Sequence, residues 1–188
     1  MTPVTSEQRR RLSERASEQL LDDLRVLLGA DRVLTGRDVL EQHGVDESFH
    51  PPAAPDAVVY PASTEEAAAI VGVCARHGAP LVPFGAGTSL EGHVQALQGG
   101  VCVDMREMNA ILRLSVDDLD VTVQAGVTRK QLDAALRPEG VFFPVDPGAD
   151  ATLGGMVSTG ASGTTTVRYG AMRENVLSLV VVAADGEI

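Results

Sequence analysis

Basic charge is what this sequence most lacks. Its 188 residues carry 15 Lys and Arg against 26 Asp and Glu, a formal net charge of −11. Phosphate backbones and anionic lipid surfaces are gripped by clustered Lys and Arg, so the balance argues against nucleic acid or a lipid surface as partner. Lysine is nearly absent: Lys130 stands alone against 14 arginines, an imbalance we read as genomic base bias. Long apolar runs are missing too. The longest, about Val176 to Ala184, is broken by Ser178 and falls far short of the ~20 residues of a membrane span. The opening MTPVTSEQRRRLSERASEQ has arginines but no apolar stretch behind them, so neither a secretory nor a twin-arginine signal is expected. The two cysteines, Cys74 and Cys102, cannot build a disulfide framework and lack metal-ligand spacing. Both sit among apolar neighbours and read as buried free thiols. The expectation is an acidic chain of a reducing, cytoplasmic compartment with no metal site.

What is present is a globular composition, 44% hydrophobic and 22% charged, long enough to bury roughly two thirds of its unfolded surface. Residues 5–28 read as an amphipathic helix with Leu12, Leu20, Leu21, Leu24, Leu27 and Leu28 on one side and Gly29 as its stop. A short helical turn around Asp38–His43 follows. Three prolines close together between Phe49 and Ala57 exclude regular structure there. This places a boundary near residue 50, with a helical arm and linker over 1–50 and the main domain over 51–188.

The main domain alternates. AVVYP is a strand. Ser63 with Glu66 forms a capping box for a helix carrying Ala67, Ile70, Val71 and Cys74 on one face and ending at Gly78. LVPF and GVCVDM are strands, and this order predicts a small, mostly parallel sheet. ILRLSV and VTVQAG flank an Asp117–Asp118 turn, and Thr128 with Gln131 caps a short helix ending at Leu136. A long Gly/Ser/Thr stretch from Pro147 to Thr166 precedes RYGAMREN and a last predicted strand, Val176–Ala184. That strand enters an Asp185–Gly186 turn and has no partner after it, which reads as an incomplete domain.

Eleven of the 19 glycines lie in two windows, 85–100 and 148–170. Glycine permits positive φ and lets backbone approach a ligand closely, so two windows suggest one extended ligand held from two sides. In PFGAGTSLEGH the chain leaves a strand at Phe84 and presents Gly85, Ala86, Gly87, Thr88 and Ser89. Successive N–H groups in such a turn form an anion nest, which suits a pyrophosphate in an acidic protein because main-chain donors need no net positive charge. Leu90 stands where a G-x-G-x-x-G fingerprint requires glycine, and no lysine is near enough for a P-loop. For Gly85-Ala86-Gly87 alone, a plain glycine turn is an equal reading. The second window reads either as a flexible Ser/Gly linker or as buried chain, and Leu153, Met156, Val157, Val167 and Tyr169 at intervals favour the core.

The two segments, PFGAGTSLEGH and FFPVDPGADATLGGMVSTGASGTTTVRYGAMRENVLSLVVVAADG, resemble the FAD-linked oxidases of the vanillyl-alcohol oxidase / p-cresol methylhydroxylase (PCMH) type, in the branch of the glycolate oxidase flavin subunit and D-lactate dehydrogenase. The resemblance covers about residues 50–188. It implies an α+β (α/β) FAD-binding PCMH-type domain of two α+β subdomains, the second incomplete, with the flavin between them. It implies that Pro83, Phe84, Gly85, Ala86, Gly87, Thr88 and Ser89 hold the pyrophosphate. Asp146, Pro147, Gly148, Ala149, Asp150, Ala151 and Thr152 would run along the flavin. Thr159, Gly160, Ala161 and Ser162 would meet the isoalloxazine and ribityl side, with Gly154, Gly155 and Gly163 letting backbone lie against the flat ring. Further FAD contacts, a substrate domain and the metal-binding and base histidines are implied after Ile188, so this chain alone is expected to be inactive. The parent would oxidise a small 2-hydroxy acid, with a second copy or a partner subunit as a further expectation.

No residue here is assigned to catalysis. His93 ends the first loop, but the resemblance is to the branch that binds FAD without a covalent bond. His43, His50 and His77 are scattered. Asp146 and Asp150 read as turn formers and cofactor-positioning groups. Arg168 and Arg173 suit an acidic substrate, a flavin oxygen or a solvated face equally. The competing function is a non-catalytic flavin- or nucleotide-binding module without a substrate domain.

Overall fold

The computed structural model describes residues 14–188, with side chains from residue 18 onward; the expected helical residues 5–13, Leu12 among them, lie outside the described residues. The chain forms two compact units. One runs through Asp104 and takes in Val181–Ile188, and the other is Met105–Val180. The boundary expected near residue 50 falls inside the first unit.

The first unit is built on a four-stranded sheet in the order β1-β2-β4-β3, comprising β1 (Val33–Leu34), β2 (Ala57–Val59), β3 (Leu81–Phe84) and β4 (Val101–Asp104). β2, β3 and β4 run parallel, as the alternation of strand and helix predicts, and β1 adds an antiparallel edge. β4 is buried along its whole length, the pattern of a central parallel strand covered on both faces. α1 (Glu14–Leu28) buries Leu20, Leu24 and Leu28, one residue per turn of a single face. α3 (Thr64–His77) starts at the expected Ser63 cap, whose Oγ accepts from Glu66 N at 3.2 Å, and ends at Gly78 in the left-handed region. The other half of the expected box is not made, because the Glu66 carboxylate instead accepts from Ala62 N and pairs with Arg32. Its buried face is Ala67, Ile70, Val73 and Cys74. Val73 takes the place expected for Val71. Burial pushes the Cys74 thiol up to about 11, and both cysteines are free and buried. α2 (Arg37–Gln42) occupies the expected short helical turn.

The second unit begins with the predicted hairpin, β5 (Ile111–Ser115) antiparallel to β6 (Asp120–Val123). α4 (Arg129–Leu136) carries the full Thr128/Gln131 capping box. The Gly/Ser/Thr stretch contains α5 (Leu153–Thr159) and runs into α6 (Thr166–Tyr169), and α7 (Met172–Asn175) follows it. Its core joins Val127, Leu132, Leu136, Val145, Leu153, Met156 and Met172.

Two expectations are corrected. Val167 and Tyr169 are not core residues: Val167 is fully exposed, and the Tyr169 ring lies edge-on to exposed Phe142. Val176–Ala184 is not a strand. Its apolar composition has the strand pattern, but among the described residues no neighbour supplies a ladder, and Leu177, Leu179, Val180 and Val181 remain exposed. The Asp185–Gly186 turn does form, with Ala183 N donating to Glu187 O at 2.9 Å.

Candidate functional site

The first glycine window leaves the C-terminal end of β3. Phe84 is buried, and its ring lies 4.5 Å from the His43 ring. The chain then turns at Gly87, whose φ of +67° belongs to the left-handed region. A Cβ on Gly87 would stand 2.8 Å from Phe84 Cζ, so glycine is required there by both dihedral and space. Among the described residues, the N–H groups of Ala86, Gly87, Thr88 and Ser89 have no acceptor. Four consecutive main-chain donors without a protein acceptor at a strand end are what an anion nest requires. Leu90 and Pro83 are exposed beside it.

Beneath the loop lies a polar pair that sequence reading missed. His43 Nε2 is 2.9 Å from Asp104 Oδ2, and both side chains are buried. His43 Nδ1 lies 2.7 Å from the Val39 carbonyl. A carbonyl only accepts, so in this contact the His43 ring is the donor. The pair ties α2 to the end of β4 under Phe84.

Asp46, placed by sequence in the arm, is the second omission. Its Oδ1 accepts from Ser48 N at 3.0 Å and Gln95 Nε2 at 2.9 Å. Its Oδ2 accepts from Gly92 N at 3.1 Å and Ser89 Oγ at 3.3 Å. Partial burial alone would raise its pKa, but the hydrogen bonds from Ser48, Gln95 and Ser89 outweigh burial and hold the carboxyl well below the usual range. Asp46-x-Ser48 is a legible Asx turn, yet nothing local announces partners more than forty residues away.

In the second unit, residues 144–165 form the other glycine-rich segment. Asp146 accepts from Thr164 Oγ1 at 2.6 Å and from Thr165 N at 3.2 Å. These contacts, the Thr164 hydroxyl first, lower its pKa. Asp150 accepts from Lys130 N at 3.0 Å at the start of α4. Arg129 N donates to Ala151 O, and Leu153 N to Val127 O, so residues 151–153 are pinned beside 127–129. Thr152 caps α5 through Gly155 N. The two aspartates therefore act as fasteners, the structural half of their sequence reading. Gly154 and Gly163 also gain a packing reason of their own, since a Cβ would strike Ala125 in one case and Asp146 in the other. Thr159 Oγ1 donates to Gly155 O at 2.9 Å, while Ser162 is exposed without a partner among the described residues. Gly148 differs from these: it is exposed, its φ is not positive, and a Cβ would meet nothing within 4 Å. Arg168 lies over the Tyr169 ring at 5.1 Å, and Arg173 is exposed. Among the described residues, no cluster of three or more His, Cys, Asp or Glu is placed to hold a metal.

Residues 55–188 match the FAD binding domain family, and the chain belongs to it. It is 54% identical over 173 residues to a protein named probable D-lactate dehydrogenase, mitochondrial, of Danio rerio, covering 92% of this chain and 35% of that protein. It is 37% identical over 136 residues to glycolate oxidase subunit GlcD of Bacillus subtilis, covering 71% and 29% respectively. The chain thus spans about a third of the length of the curated relatives it matches. Among solved structures, p-cresol methylhydroxylase with substrate bound superposes with a TM-score of 0.79 at 22% identity, over 94% of this chain and 35% of that one, which establishes the shared fold. The mixed helix-and-strand PCMH-type architecture implied by the sequence is therefore correct, and FAD is the cofactor of the family. The unpaired donors of Ala86–Ser89 fit its diphosphate: they supply hydrogen bonds to an anion without a cation. Among the described residues, no helix is long and apolar enough to cross a membrane.

Proposed function

We propose that this chain is the FAD-binding part of a flavoprotein that oxidises a D-2-hydroxy acid of the lactate or glycolate class. The observation that carries the cofactor half of this reading is the run of unpaired N–H groups on Ala86–Ser89 at the end of β3. The names of the relatives support the substrate half. When bound, FAD supplies the acceptor for the hydride leaving the substrate carbon. In this reading Pro83–Ser89 cradle the diphosphate, Asp146–Thr152 run along the flavin, and Thr159–Ser162 with Gly163 lie towards the ring. Gly154 and Gly155 set the turn that starts α5. The chain's own work is to bind and orient: the loop neutralises phosphate charge with main-chain dipoles, and the fasteners at Asp146 and Asp150 keep the second segment in register. No proton-transfer role falls to any residue described.

The free thiols Cys74 and Cys102 support a reducing compartment. Relatives with "mitochondrial" in their names lend no support to the cytoplasm in particular. A second copy or partner subunit remains part of the proposal on the resemblance alone. The test of substrate class is dye reduction by the intact flavoprotein carrying this sequence, comparing D-lactate, glycolate and L-lactate. Turnover of D-lactate or glycolate, with L-lactate inert, is the expected result. Turnover of none of them, in a protein that holds FAD, would favour the binding-module reading.

A further inference from the structure

The loop that presents the N–H groups of Ala86–Ser89 does not hold its own shape. Among the described residues, the hydrogen bonds that Ser89 Oγ, Gly92 N and Gln95 Nε2 make outside the loop converge on one carboxylate, Asp46. The direction of each bond follows from chemistry. An ionised carboxylate only accepts, so Ser89 Oγ–H points to Asp46 Oδ2, and His93 Nδ1, 2.9 Å away, then donates to the Ser89 oxygen. Gln95 is buried, and its Nε2 faces Asp46 Oδ1, which leaves its Oε1 buried without a donor. Leaving a buried amide oxygen without a donor is costly, and the Asp46 contact is what fixes that orientation.

The placement is electrostatically perverse for a diphosphate site. A carboxylate beside the loop repels an anion, and the site would bind phosphate better without it unless the carboxylate does something that outweighs the repulsion. What it does is occupy the donors of Ser89, Gly92 and Gln95, so that the loop closes around Asp46 and the main-chain donors of residues 86–89 are left unpaired. We propose that Asp46 is the positioning residue of the diphosphate loop, acting through Ser89, Gly92 and Gln95 and not by touching the cofactor. The proposal rests on the FAD reading above.

Asp46→Asn decides the matter by the sign of its effect. It removes the negative charge and places an amide donor against other donors, with almost no change of shape. If the carboxylate were an electrostatic bystander, FAD and ADP would bind more tightly to the variant. If Asp46 mattered only to stability, the melting temperature would fall while the folded protein kept its affinity. Positioning predicts the opposite of both: at least tenfold weaker FAD and ADP binding by calorimetry in a protein still folded. Amide exchange at residues 86–92 would be faster, with 101–104 unchanged as the internal control. Asp46→Glu, which restores charge and acceptors one methylene further out, is expected to recover part of the affinity. Should Asp46→Asn fail to fold, Gln95→Leu keeps the charge, removes one strut and relieves the orphaned carbonyl; several-fold weaker binding is then expected, and unchanged affinity overturns the proposal. Unchanged or tighter FAD binding by a folded Asp46→Asn chain overturns it while leaving the FAD reading intact. An intact wild-type flavoprotein carrying this sequence that binds neither FAD nor ADP removes the FAD reading and the proposal with it.

Discussion

At the scale of single residues, Gly148 and Asp46 separate cofactor contact from folding. Most glycines of the two windows have a reason internal to the protein, as Gly163 does against Asp146. Gly148 has none: it is exposed, with open space where a Cβ would stand. Gly148→Ala is therefore expected to leave stability within about 0.5 kcal/mol of wild type, while weakening FAD binding if the cofactor passes over it. Parallel thermal melts and FAD titrations check this, and wild-type affinity in the variant would remove 146–152 from the cofactor path. Asp46 gives a pH prediction. Its folded pKa is depressed, so its stabilising contribution is fully present above the ordinary carboxylate value near 3.9. It is lost as pH falls from there through the folded value. The stability difference between wild type and Asp46→Asn should be constant from pH 7 to about 4 and close only at lower pH, as followed by urea unfolding at each pH. The glycine loop was legible in the sequence because its signal is local: strand, Gly-x-Gly, two hydroxyls. Asp46 was not, because its partners at 89, 92 and 95 arrive through the fold.

At the scale of elements, the connection between α2 and β4 carries the most weight under the loop. His43 and Asp104 are buried against each other, with Phe84 packed on the imidazole. Removing one member of a buried pair costs about 3–5 kcal/mol. His43→Leu should therefore lower the unfolding free energy of the protein by that order, read as a lower urea midpoint in the far-ultraviolet signal. A change below about 1 kcal/mol would show that the pair is dispensable. Helix ends were read correctly because Ser63 with Glu66 and Thr128 with Gln131 state their caps within four residues. The run Val176–Ala184 was misread for the complementary reason. Its β-branched and apolar residues record a preference for a sheet, but a strand exists only where a neighbouring backbone accepts its hydrogen bonds, and none does so here.

At the scale of the whole molecule, the chain is two compact units, each presenting one glycine-rich segment. Sequence order predicted the parallel sheet of the first unit and the hairpin of the second, while the division after Asp104 had no composition shift to mark it. Main-chain N–H groups in a fixed turn let an acidic chain of net charge −11 offer hydrogen bonds to a dianionic cofactor without a cation. The most direct test of this account is calorimetric titration of FAD into the intact flavoprotein carrying this sequence and its Gly87→Val variant, with circular dichroism to establish that both are folded. At position 87 a valine meets both the left-handed dihedral and the Phe84 ring. The account predicts saturable FAD binding by the wild-type chain and loss of binding by the folded variant. Wild-type affinity in a folded Gly87→Val chain would contradict it.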